Sequence, residues 1–205
     1  MRRSAYGTCK RFGGSCIAAG VLSACTSAVV VESEFPEPLI ETVPVSIGLF
    51  YEPRLRDFIH AEALPRSTTW TIDMGDANLA MLDPLYKTMF AFTREIENFP
   101  PSPAEIASLD GVLSSTLEQF QFDVPRSTRD EFVEVWLQYR LELVEPDCNV
   151  VITWEVPAYG KAEIATSRQE AVHRAAIVAM REAGAKISIE FPQQPDFRLW
   201  VEDLD

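Results

Sequence analysis

Histidine is almost absent from this chain. Only His60 and His173 occur in 205 residues, which leaves little for imidazole-based metal centres or histidine-dependent catalysis. Positive charge is also scarce. There are 18 basic and 31 acidic residues, a net charge of −13. Nucleic acid is therefore excluded as a partner, because no cationic surface is available to displace phosphate counterions. Long apolar runs are missing too. No stretch approaches the roughly 20 residues that a membrane-spanning helix needs. G-x-S-x-G, H-E-x-x-H, Walker A and G-x-G-x-x-G are all absent, so the signatures of common hydrolases, zinc enzymes and nucleotide enzymes are lacking. No catalytic residue, metal ligand or cofactor is nominated, and a non-enzymatic protein is expected.

What is present is unevenly distributed. Arg2, Arg3, Lys10 and Arg11 precede Cys25 with no acid among them, and all 31 acidic residues follow it. A basic, acid-free start on an acidic body is the asymmetry of a targeting segment. Its n-region reads MRRSAYGTCKRFGG, and the short apolar region CIAAGVLSA spans residues 16–24. That run ends in Leu22-Ser23-Ala24-Cys25.

This leader resembles that of bacterial lipoproteins. Leu22, Ser23, Ala24 and Cys25 are similar to a lipobox, in which an aliphatic residue and two small ones precede the cysteine. The resemblance implies cleavage before Cys25 and acylation of its thiol by a diacylglycerol and palmitate-like chains. Each buried CH₂ adds about 0.8 kcal/mol to such an anchor. It places the protein at the cell envelope, at the periplasmic face of the outer membrane, with Thr26 standing where inner-membrane retention would favour aspartate. Two other leaders remain open. An ordinary secretory signal would cut near Ala24 or Ala28, and a mitochondrial presequence is also arginine-rich and acid-poor. Cys9 lies in the n-region, Cys16 has no apolar run before it, and Arg2-Arg3 lacks the rest of a twin-arginine pattern. After processing, Cys148 is the one thiol besides Cys25, so no intramolecular disulfide is expected.

Four regions follow from this reading: a signal peptide over 1–24, an acylated cysteine and proline-rich tether over 25–43, one α/β domain over 44–191, and an acidic C-terminal tail over 192–205. Within the domain, VPVSIGLFY alternates as a strand, followed by strand-like DFIHAEAL and TTWTIDM. GDANLAMLDPLYKTMF reads as a helix in which Pro84 conflicts with the helical pattern. GVLSSTLEQFQFDV, EFVEVWLQYRLELV and VVITWEV read as three further strands, the last two joined by the turn EPDCN. The cleanest alternation puts Val133, Val135, Leu137, Tyr139, Leu141 and Leu143 on one side. Glu134, Trp136, Gln138, Arg140 and Glu142 take the other. Ser167 to Glu170 form a capping box for an alanine-rich helix, Gly184 ends that helix or is passed through, and ISIEF reads as a short strand. The expected fold class is α/β of the α+β type: a single mixed, largely antiparallel sheet with two main helices packed on one face. In architecture it is similar to small envelope lipoproteins that assist transport or lipopolysaccharide assembly.

Candidate chemistry is thin. Glu170 and His173 share a helix face at di-iron spacing, without the second half-site. His60 and Glu62 fall on one strand face and read as a polar pair. Trp136 on an otherwise polar strand face is either a contact surface or, if a helix covers it, core. Trp200 in the tail is likewise either a docking residue or packed back on the sheet. The expected function is a lipid-anchored envelope accessory in transport or assembly, with the membrane and an envelope protein as partners. The alternatives are a soluble periplasmic ligand-binding or enzymatic domain, and a structural subunit of an envelope complex.

Overall fold

Period-2 patterning becomes strand, and the alanine-rich stripe becomes helix, in the computed structural model, which describes residues 26–63, 69–125 and 131–204. The strands are β1 (Thr26–Val30), β2 (Val43–Tyr51), β3 (Ile59–Ala63), β4 (Thr69–Asp73), β5 (Phe90–Glu95), β6 (Gly111–Asp123), β7 (Phe132–Val144) and β8 (Val150–Glu163). The helices are α1 (Pro53–Arg56), α2 (Gly75–Met89), α3 (Pro103–Ile106), α4 (Arg168–Glu190) and α5 (Pro195–Leu204), with a 3₁₀ turn at Phe191–Gln193.

The architecture is α+β, but the expected single sheet is two. One has the order β5-β2-β6-β7-β8 and the other β1-β4-β3. The larger is not simply antiparallel. β2 runs parallel to both β5 and β6, while β6, β7 and β8 form an antiparallel meander. The split has a local cause. Pro53 opens the short α1 directly after β2, and a proline at the first helical turn diverts the chain from the ladder. β3 and β4 then lie over the distal half of β6 instead of joining its edge. Phe58 and His60 pack on Phe120 at 5.8 and 4.9 Å, and Trp70 packs on Phe122 at 5.7 Å.

α2 and α4 cover one face of the larger sheet, and the main core lies between them. Every inward residue of β7 from Val133 to Leu143 is buried, as the alternation predicts. The alanine stripe of α4 (Ala171, Ala175, Ala176, Ala179 and Ala183) is fully buried, and Gly160 of β8 lies against Ala175 and Ala179. Ser167 caps α4, its hydroxyl accepting from the Glu170 N–H at 3.1 Å.

β8 is a free sheet edge, which would ordinarily invite pairing with another chain. α4 blunts it. The Glu182 carboxylate accepts the Tyr159 N–H at 2.8 Å, and Lys186 donates to the Pro157 carbonyl at 2.7 Å. Hydrogen bonding to Lys186, then to Tyr159, holds the Glu182 carboxyl below its ordinary range.

Three local expectations need correction. The tether expected over 25–43 does not begin at once, because Thr26–Val30 form β1, parallel to β4, with Val29 and Val31 buried. The valine run that ends at Val31 supplies strand propensity, and the first proline comes only at Pro36. ISIEF is not a strand. α4 continues through Gly184 to Glu190, buries Ile187 and Ser188, and stops where Pro192 cannot donate. The region 192–205 is not a separate tail. α5 packs Phe197 and Trp200 into the core. The signal-peptide assignment to 1–24 and the acylation assignment to Cys25 lie outside the described residues.

Candidate interaction surface

The outward faces of β6, β7 and β8 form the widest uncovered part of the larger sheet. Among the described residues its β2–β6 end is covered, by a small cluster of Ile96, Leu109, Val112 and Val144 that Phe50, Phe99 and Ile106 join. Strand register sets the outward side chains in rows. Asp123, Glu134 and Lys161 make one row, Gln121, Trp136 and Tyr159 the next, then Gln119, Gln138 and Pro157, and further on Thr116, Arg140 and Glu155.

Trp136 is 39% exposed. Among the described residues no helix covers it, so of its two readings the structure places it on the surface. Its ring lies 5.5 Å from that of Tyr159, tilted by 46°. A groove of about 290 Å³ runs beside it between Gln119, Gln121, Gln138 and Pro157. These two middle rows carry no formal charge, and charged rows flank them. On one side Tyr159 donates to Glu134 at 2.8 Å, and Lys161 pairs with the same carboxylate at 3.2 Å. The Tyr159 hydroxyl, and then Lys161, lower the Glu134 carboxyl from its ordinary value, and the same bond raises the Tyr159 hydroxyl. Lys161 also sits 4.5 Å over the exposed Phe132 ring, a cation–π contact. On the other side Arg140 bridges Glu118 at 3.4 Å and Glu142 at 3.1 Å. The result is an aromatic and amide strip bounded by ion pairs.

Trp200 does not share this surface. It is 6% exposed, its ring lies tilted 5.7 Å from that of Phe197, and its indole nitrogen has no partner among the described residues. The correction follows from the amphipathic α5, whose apolar side closes the end of the core beside Gly111.

The histidines have local partners. His60 Nε2 lies 3.2 Å from Glu62 Oε2, and its ring packs on Phe120 and Phe122. His173 Nε2 lies 3.1 Å from the Glu32 carbonyl oxygen, while Glu170 pairs with Arg174 at 3.0 Å. Among the described residues no three His, Cys, Asp or Glu side chains gather as a metal site. A buried polar network holds the core together. Tyr139 donates to Asn78 at 2.7 Å, Asn78 donates to the Leu55 carbonyl at 2.9 Å, and Tyr86 meets Ser115 at 2.9 Å. Burial pushes the Tyr86 and Tyr139 hydroxyls well above the ordinary phenol range, so they remain neutral.

Sequence reasoning missed one further feature. A cavity of about 250 Å³ lies under the Phe35–Pro38 segment, where Met81 and Leu85 of α2 face Gly184 of α4. In the sequence Pro36 and Pro38 read as part of the tether, and nothing there places them over α2 and α4.

No protein-family model matches the chain, and no curated protein matches it. Solved structures do share its fold. A Xanthomonas campestris protein of the family DUF330 superposes with a TM-score of 0.51 at 13% identity, covering 88% of this chain and 98% of that one. A candidate neuraminyllactose-binding hemagglutinin homologue from Helicobacter pylori superposes at 0.53 and 12% identity, covering 86% and 98%. A candidate lipoprotein from Caulobacter crescentus is more distant, at 0.42 and 12% identity over 78% and 92%. At these identities the likeness to the first two is one of fold. Among the described residues no helix is long and apolar enough to cross a membrane.

Proposed function

We propose that this chain is a non-enzymatic envelope lipoprotein, anchored through Cys25 at the periplasmic face of the outer membrane. It assists transport or assembly by docking an envelope protein on the Trp136 face. The leader ending in Leu22-Ser23-Ala24-Cys25 supports the anchor. The observation that carries the docking role is the uncovered, charge-free strip around Trp136 and Tyr159. A rigid aromatic ringed by polar groups is the usual anchor of a protein interface.

Metabolic labelling with a palmitate analogue tests the anchor. Label is expected on the parent and lost in Cys25→Ser, and unchanged label in the variant would refute it. A photo-crosslinking residue at position 136 tests the docking face in detergent-solubilised envelopes. A discrete adduct is expected there and not from position 153, an exposed site on the neighbouring β8. The cavity under Phe35–Pro38 favours a second reading, a periplasmic module that binds a small apolar ligand. Retention of such a ligand after purification, with no adduct at position 136, would favour that reading over the first.

A further inference from the structure

β1 begins at Thr26, one peptide bond after the cysteine that the proposed function acylates. A residue spans at most about 3.3–3.6 Å of extended chain, so no slack separates anchor from fold. The strand is also held firmly. Thr26 to Val30 pair in parallel register with Thr69 to Asp73. Gln169 at the start of α4 donates to the buried Ser27 hydroxyl at 3.2 Å, and the Val31 N–H bonds the Asp73 carbonyl at 2.8 Å.

The register defines what else lies at that end. Thr69 pairs with Ala63, and Phe132 pairs with Glu163, whose carbonyl accepts from Arg174 of α4. The opposite end holds the β7–β8 hairpin with the exposed Cys148. β7 has 13 residues, so at about 3.4 Å per residue the two ends stand roughly 40 Å apart.

We infer that the molecule rides directly on the bilayer with no standoff. The end bearing Thr26, Ala63 and Glu163 meets the lipid headgroups, and the Cys148 hairpin points away. This rests on the acylation of Cys25. Trp136 lies four residues along β7 from Phe132, so the docking strip sits only about 14 Å above that end. Its partner must reach within that distance of the same membrane.

The test uses the mature full-length chain in liposomes that carry a headgroup-linked energy acceptor. Thiols are first counted with a polar maleimide dye. One reactive thiol per chain, Cys148, is expected. Two would mean that Cys25 is free, and one thiol on a chain that does not float with the liposomes would mean that Cys25 has been cut away; either refutes the anchor itself. With one thiol, energy transfer is compared between dye on Cys148 and dye on Glu163→Cys in a Cys148→Ser background, or on Ala63→Cys if the first variant folds poorly. Transfer from the Glu163 or Ala63 position is expected to be several-fold greater. A fifteen-residue Gly/Ser insert after Cys25, reaching roughly 20 Å, should lower it. Equal transfer from both ends, or no effect of the insert, overturns the orientation while leaving the anchor intact.

Discussion

At Gly160 the backbone of α4 lies directly against the sheet, and adding one methyl group there tests the packing argument. A Cβ at position 160 would stand 1.9 Å from the Ala175 carbonyl oxygen and 2.5 Å from the Ala179 nitrogen. Comfortable contact between heavy atoms begins near 3.5 Å, so α4 must retreat by roughly 1.5 Å. Both obstacles are helix backbone, and no side chain can swing aside. Retreat also parts the buried faces of Ala175, Ala176 and Ala179 from β7 and β8. Overpacking costs typically 1–3 kcal/mol, and Gly160→Ala belongs at the upper end, about 3 kcal/mol. At about 2–4 °C per kcal/mol for a domain of this size, the midpoint falls by roughly 6–12 °C. Gly184→Ala is the control with the opposite sign. Its new Cβ meets nothing closer than the Met81 sulfur at 3.5 Å, and an alanine inside a helix gains roughly 0.5–1 kcal/mol over glycine. Denaturant unfolding followed by circular dichroism measures both. A Gly160→Ala variant as stable as the parent, or a Gly184→Ala variant that loses more than about 1 kcal/mol, refutes the close-packed account of α4.

Other substitutions probe separate parts of the structure. Tyr139→Phe removes the donor to Asn78 and leaves a buried amide oxygen short of a partner, which costs about 1–3 kcal/mol in the same assay. Trp136→Ala leaves stability nearly unchanged, because surface substitutions stay within roughly 0.5 kcal/mol, yet removes the partner adduct formed from a crosslinker at the neighbouring Tyr159. Trp200→Ala does the reverse, losing about 3–5 kcal/mol of stability without touching the docking face. The Ser102 hydroxyl and then the Ser102 N–H hold the Glu105 carboxyl down to about 2. A depressed folded-state value means that the stabilisation is present above the ordinary carboxylate range and lost as pH falls toward about 2. Carboxyl NMR titration should show that value, and Ser102→Ala should move it back up.

Much of the body was legible because one physical signal dominated there. The β7 alternation from Val133 to Leu143 and the alanine face of α4 each state their burial in a single period, and Ser167 caps α4, although Glu170 pairs with Arg174 instead of closing the expected capping box. What stayed hidden depended on long-range choices. Nothing local in IHAEA or TWTID says that these strands form a sheet of their own, since that follows from where Pro53 sends the chain. β1 is too short for its period to stand out beside a proline-rich stretch. ISIEF has strand propensity, but Ile187 continues the buried stripe of α4, and packing decided against propensity. Trp136 and Trp200 look alike in sequence. One lies on a strand face that no described element covers, and the other on the amphipathic α5 that closes the core. The groove beside Trp136 was invisible because its glutamines come from two strands and meet only in register.

The central claim is that Cys25 carries the lipid that holds this fold at the envelope. The most direct measurement is mass spectrometry of the mature N-terminal peptide from the native membrane. The account predicts a chain that starts at Cys25 with a diacylglyceryl thioether on its sulfur. A mature chain that starts at an unmodified Cys25, or one cut near Ala28, would contradict it.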